Sequence, residues 1–232
     1  MSCPQRLQIE KGENMTVSCN PEDIQLSSSF WYKGDPSVSG PVLRLERGVP
    51  GGTEYGKRHY DITSTGAMII IDATVDHEGI YSFLAYFDDG QFEKLNVTLV
   101  VTITPLQACP VIDKCDPCKD CKKKVNGTDS LRCTVSHSRP KMTLNWLLIS
   151  ANGIKIFRPR KTEEKDYSTD SWNTSSVLPY VARSCNQQAV LQCVAQDEMR
   201  LLKHWHSSVN IYTGNDHNTR ILLQMVLALK IC

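Results

Sequence analysis

Four cysteines crowd into one short stretch, Cys109, Cys115, Cys118 and Cys121. Thiols at Cys-x-x-Cys spacing have three uses. They ligate zinc, whose tetrahedral shell suits thiolates two residues apart. They act as a redox pair, which sits at a helix start in a βαβ unit. Or they close disulfides, which persist in oxidising compartments. No βαβ pattern surrounds them, which leaves zinc and disulfides. The other cysteines are Cys3, Cys19, Cys133, Cys185, Cys193 and Cys232, ten in 232 residues. Four Asn-x-Ser/Thr sequons, at Asn14, Asn96, Asn126 and Asn173, favour the secretory route and N-glycosylation. On that route disulfides are the expected use of the cluster, with Cys185 tied in as well, and one cysteine is left free or intermolecular. No metal site is expected.

Little else suggests reaction chemistry. The chain has no G-x-S-x-G, H-E-x-x-H or Walker A motif. His204-Trp205-His206 puts two histidines on one strand face, a pattern that reads as a surface pair rather than a metal site. No catalytic residue and no cofactor are expected. Lys plus Arg is 26 against 25 for Asp plus Glu, a net charge of +1, which argues against a dedicated nucleic-acid binder. Lys122-Lys123-Lys124 is a short basic run that reads as a solvated turn, with glycosaminoglycan attraction the lesser reading.

The elements that must position these residues read as strands. Arg6–Ile9, Met15–Cys19, Pro41–Glu46 and Leu95–Ile103 alternate apolar and polar residues, and Ala67–Ile71 is a continuous apolar run. Turn clusters separate them, including Asp88-Asp89-Gly90-Gln91 between Phe87 and Phe92, a hairpin signal because Asp-Gly supplies positive φ angles. Many short strands at this spacing imply a sandwich or barrel. Residues 1–105 carry a net charge of −6 and residues 106–165 one of +7. The shift falls at Thr104-Pro105, which predicts domains at 1–105 and 106–213, with a stalk and apolar tail at 214–232. The start, Met1-Ser2-Cys3-Pro4, has no apolar h-region, so the chain reads as a mature form with an added Met or as lacking its true start. The apolar run from Ile221 to Cys232 is too short to span a bilayer. It reads as the first half of a cut transmembrane helix, giving membrane attachment through a segment beyond Arg220, or as an alternative tail, or as a docked helix.

The stretch Met68-x-Ile70-x-x-Ala73-x-x-x-His77-x-Gly79-x-Tyr81-x-Phe83 resembles the E-to-F strand signature of immunoglobulin domains. Tyr81 takes the corner tyrosine position. Cys19 and Trp31 match the B-strand cysteine and C-strand tryptophan. Two positions depart from the pattern: Phe83 replaces the second cysteine and His77 replaces the usual acid. Cys19 therefore lacks its inter-sheet partner, and Cys3 on the first strand is the nearest candidate. In the second half, Cys133, Trp146 and Cys193 repeat the order, and Ser175–Arg183 with Ala189–Ala195 resembles the E and F strands of nectin-like and B7-like second domains. There the resemblance implies a Cys133–Cys193 bridge, while Pro179 within the E strand asks for an edge or a bulge.

The resemblance implies an all-β fold of two tandem immunoglobulin-like sandwiches with a cysteine-rich junction, variable-type first and constant-type second. It also implies a binding role in immune recognition or adhesion, at the cell surface or secreted. The partner is a protein, another immunoglobulin-superfamily member or a second copy, held on the C, C′, F and G strand face. On this chain that face maps to Tyr32, Lys33, Arg44, Glu46, Tyr86, Asp88, Asp89, Gln91 and Phe92. A secreted decoy and a homophilic adhesion molecule are the alternatives.

Overall fold

The computed structural model describes residues 2–19, 26–119, 121–124, 127–150, 153–186, 189–197, 205–212 and 220–224. The chain divides into two compact units, Met1–Thr102 and Ile103–Cys232. The division precedes Pro105 because Ile103 exchanges two backbone hydrogen bonds with Arg139, at 2.9 and 3.0 Å, and so joins the second unit.

The first unit contains β1 (Arg6–Glu10), β2 (Met15–Val17), β3 (Ser28–Lys33), β4 (Leu43–Glu46), β5 (Val49–Gly51), β6 (Tyr60–Ile62), β7 (Met68–Ile70), β8 (Gly79–Tyr86) and β9 (Phe92–Thr102). Its larger sheet runs β1-β9-β8-β3-β4-β5 and its smaller one β2-β7-β6, with β1 parallel to β9. Two extra strands, β4 and β5, continue the sheet beyond β3, as in variable-type sandwiches. The alternation of β3 explains its place. Ser29 and Trp31 are buried while Phe30 and Tyr32 lie half-exposed on the other side. Trp31 is fully buried, 4.7 Å from the Phe83 ring, and its indole N–H donates to the Gly66 carbonyl at 2.8 Å. Phe83 thus fills the space of the absent second cysteine with apolar surface, worth about 1.5–3 kcal/mol when fully buried. Cys19 bonds to Cys3 instead.

A single 3-10 turn, Val75–His77, precedes β8. The buried Tyr81 hydroxyl donates to the His77 carbonyl at 2.8 Å and meets the Tyr60 hydroxyl at 2.8 Å. This is the corner tyrosine arrangement, and it ties the turn back onto the strand that follows it.

The second unit contains β10 (Val111–Ile112), β11 (Cys121–Lys124), β12 (Gly127–Ser138), β13 (Met142–Ser150), β14 (Gly153–Phe157), β15 (Lys161–Asp166), β16 (Ser171–Asn186), β17 (Ala189–Asp197), β18 (Trp205–Tyr212) and β19 (Arg220–Gln224). One sheet runs β10-β12-β16-β15 and the other β11-β18-β17-β13-β14. Relative to the seven-strand constant-type plan, β14 is added beside β13 and β11 lies parallel beside β18. Cys133 on β12 bonds to Cys193 on β17, joining the two sheets. Trp146 is fully buried and donates to Ser176 Oγ at 3.2 Å.

Pro179 finds its place by local geometry. On one side of β16 it pairs with Ser130; on the other, the start of β15 (Lys161) pairs with Ser176 and the end of β19 (Gln224) with Val181, leaving Pro179 between them. Among the described residues, its missing N–H therefore costs no ladder bond on that open side. Of the segment expected as stalk and apolar tail, only Arg220–Gln224 is described, and it is a strand antiparallel to β16; residues 213–219 and 225–232 lie outside the described residues. No helix among the described residues is long and apolar enough to cross a membrane. The architecture is two tandem immunoglobulin-like sandwiches, all β.

Candidate functional site

The β9-β8-β3-β4-β5 sheet presents an outer face whose rows follow from register. Phe92 pairs with Tyr86, Tyr86 with Ser28, Ser28 with Glu46, and Glu46 with Val49. The next row is Lys94, Leu84, Phe30, Arg44 and Gly51, followed by Asn96, Ser82 and Tyr32. Because side chains alternate along a strand, each row stands wholly on the outer side, opposite the core residues Trp31, Phe83 and Leu43.

Three aromatic rings dominate this face. Tyr86 and Phe92 stack at 5.9 Å, and Phe30 meets Tyr86 edge-on at 5.7 Å. Phe92 is 62% exposed and Tyr86 38%. Burial and the nearby Tyr86 and Glu46 raise the Tyr32 hydroxyl above its ordinary range, so Tyr32 stays neutral and can donate a hydrogen bond. Arg44 and Glu46 form an exposed ion pair at 3.2 Å. Gly51 makes room for it, since a Cβ there would lie 2.9 Å from Arg44 Nε.

The hairpin tip differs from a two-residue Asp-Gly turn. The Gly90 N–H bonds to the Phe87 carbonyl and the Phe87 N–H to the Gln91 carbonyl, at 3.1 and 3.0 Å. Gly90 has φ 82°, whereas Asp89 stays at negative φ and its Oδ1 accepts from the Gln91 N–H at 2.9 Å. The three-residue loop, a type I turn closed by a glycine, sets Tyr86 rather than Phe87 opposite Phe92. Asp88, Asp89 and Gln91 are exposed at this tip.

Of the residues read from sequence, Tyr32, Arg44, Glu46, Tyr86 and Phe92 share the outer face. Lys33 does not. It has the parity of Trp31, and its ammonium donates to the Asp76 carbonyl in the turn before β8. Phe30, Leu84 and Lys94 belong to the face and were missed. The signal for Phe30 was available: with Trp31 inward, both its neighbours must point outward.

The cysteine cluster pairs within itself, Cys109 with Cys118 and Cys115 with Cys121. Those bonds consume the thiols that a zinc site or a tie to Cys185 would need. The cluster spans the passage from β10, in one sheet, to β11, in the other, so it staples the opening strand as it changes sheets. Cys185 lies in β16, with its side chain outside the described residues, as are Asn126, His204 and Cys232. Among the described residues no group of three or more His, Cys, Asp or Glu could hold a metal ion.

Asn14 is exposed and its Oδ1 accepts from the Asp72 N–H at 2.9 Å. Asn173, on β16, accepts from the His137 N–H at 3.1 Å. Asn96 accepts from Ser82 Oγ at 2.9 Å on the aromatic-bearing sheet.

No family model matches the chain. It is similar to the mouse cytotoxic and regulatory T-cell molecule, 25% identical over 193 residues, or 82% of this chain and 44% of that protein. The chain thus spans less than half the length of that relative. Among solved structures it is similar to Rst D1-D2, with a TM-score of 0.54 at 15% identity, covering 91% of this chain and 97% of that one. It is also similar to murine CEACAM1b, with a TM-score of 0.54 at 14% identity, covering 89% and 95%. These likenesses are of fold: the chain is similar to solved structures built, like it, of two tandem immunoglobulin-like sandwiches.

Proposed function

We propose that this chain is a recognition ectodomain that docks a protein partner noncovalently on the outer face of the β9-β8-β3-β4 sheet. The observation that carries this reading is the aromatic trio of exposed Tyr86 and Phe92 with half-exposed Phe30. Exposed aromatics are over-represented among the residues that dominate contact energies. The Arg44–Glu46 pair and the acidic tip, Asp88 and Asp89, add a polar rim and favour a partner with a basic patch. The four disulfides among the described residues fit an extracellular setting, at a cell surface or in a secreted form.

The test uses fluorescent multimers of the secreted chain on a panel of intact leukocytes and epithelial cells. Phe92→Ala should cost about 2 kcal/mol of docking, roughly thirtyfold in affinity, with thermal unfolding unchanged. Equal staining by wild type, Phe92→Ala, Tyr86→Ala and Arg44→Ala would sink the placement. Sedimentation of the first unit at high concentration asks whether the partner is a second copy.

A further inference from the structure

One end of the same sheet offers exposed surface that the docking face does not use. Along β9, Phe92, Lys94, Asn96 and Thr98 share the outer side, and Asn96-Val97-Thr98 is a sequon. Asn96 is exposed and stands in the row of Ser82 and Tyr32; Thr98 pairs with Ile80, which is 55% exposed. Ser82 Oγ holds the Asn96 carboxamide oxygen against the sheet. We propose that Asn96 carries an N-linked glycan that stands on this sheet and shields its Tyr32 and Ile80 end, leaving only the end nearest the β8–β9 hairpin open to a partner.

Geometry and compartment support this together. The disulfides fit the oxidising route on which Asn-x-Thr acceptors are modified. Four residues of strand separate Asn96 from Phe92, about 13 Å, whereas Ser82 and Tyr32 lie about 5 and 10 Å away across the strands. A bulky sugar at Asn96 therefore covers Tyr32 and Ile80 before it reaches Phe92. Asn14, on the turn after β1, and Asn173, in the second unit, have no place on this face. The partner side of the inference rests on the docking reading above; the glycan's position does not.

The experiment uses the full chain secreted from mammalian cells. Glycopeptide mass spectrometry reads occupancy at Asn96. Hydroxyl-radical footprinting is then run before and after an endoglycosidase that leaves one sugar. Labelling of Tyr32 and Ile80 should rise roughly threefold or more on trimming, with Phe92 unchanged. An unoccupied Asn96, unchanged Tyr32 and Ile80, or an equal rise at Phe92 overturns the proposal. A second arm moves the sequon one row toward the trio with Lys94→Asn plus Asn96→Thr. Multimer staining of cells should fall about tenfold or more, while Asn96→Gln keeps it. Should the moved sequon leave staining unchanged while the footprint behaves as stated, the docking face is refuted and the glycan's position stands.

Discussion

The two units close the same kind of sandwich by different means. Around Trp146, a covalent bridge between Cys133 and Cys193 ties sheet to sheet. Around Trp31, the ring of Phe83 occupies that space and the bridge has moved to the first strand, Cys3 to Cys19. The bridged loops have sequence separations of 16 and 60. Chain-entropy reasoning assigns them about 3 and about 4 kcal/mol. The loops therefore differ by only about 1 kcal/mol. What separates the units is where the covalent tie lies: between the segment entering β1 and the segment leaving β2 in the first, and between β12 and β17 in the second. The first unit should thus be the more sensitive to core truncation and the less sensitive to reduction.

The largest effect expected from that contrast is Phe83→Ala. It removes the partner of Trp31 at the place where this core has no disulfide and should cost about 3–5 kcal/mol. Hydrogen exchange followed unit by unit on heating should show the first unit opening earlier while the second is unmoved. Equal shifts in both units would break the comparison. Next comes the pair Cys133→Ala with Cys193→Ala, expected to cost about 4 kcal/mol in the second unit against about 3 for Cys3→Ala with Cys19→Ala in the first. A larger loss in the first unit would mean that its bridge does more than shorten the unfolded chain.

The corner sharpens the contrast at smaller scale. Tyr81→Phe leaves the buried His77 carbonyl and the Tyr60 hydroxyl without their 2.8 Å partner, at about 1–3 kcal/mol. The corresponding position of the second unit is Leu191, fully buried with no hydroxyl to lose, so Leu191→Phe tests packing alone there.

Much of this arrangement was legible in the residues. Tyr81 and Trp31 declared the corner and the core because few side chains serve there, and alternation along β3 set which neighbours face out. The loop after β8 was legible only as a turn. Asp89-Gly90 fits both a two-residue and a three-residue connection, and that one-residue choice decides whether Phe87 or Tyr86 opposes Phe92. Lys33 has the parity of Trp31, so the alternation that sends Tyr32 outward sends its ammonium to the Asp76 carbonyl. The pairing within Cys109–Cys121 was closed to sequence altogether, because any of three connectivities suits four cysteines. The strand at Arg220–Gln224 depends on an open edge of β16, which is a tertiary fact.

The smallest expected effect isolates His77, the residue that replaces the usual acid at the corner. Its ring is 3% exposed, and its Nδ1 accepts the Thr74 N–H at 2.8 Å, which fixes the neutral form with the proton on Nε2. Around it stand the His59 ring at 5.4 Å and the Tyr60 ring at 5.0 Å, with Lys33 and Asp76 close by. Burial, helped by His59 and Lys33, holds its pKa below the ordinary histidine range against the pull of Asp76 and the Thr74 backbone. The folded state then binds fewer protons than the unfolded chain once pH drops to about 6.5, the ordinary value. The stabilisation is complete above that value and is lost as pH falls through it toward the lower folded pKa, at a slope of at most about 1.4 kcal/mol per pH unit for one proton. The first unit should therefore lose stability between pH 7.5 and 5, and His77→Asn, which can accept the Thr74 N–H without titrating, should flatten that slope. An identical slope in the variant would place the sensitivity elsewhere and leave the corner histidine a purely structural cap.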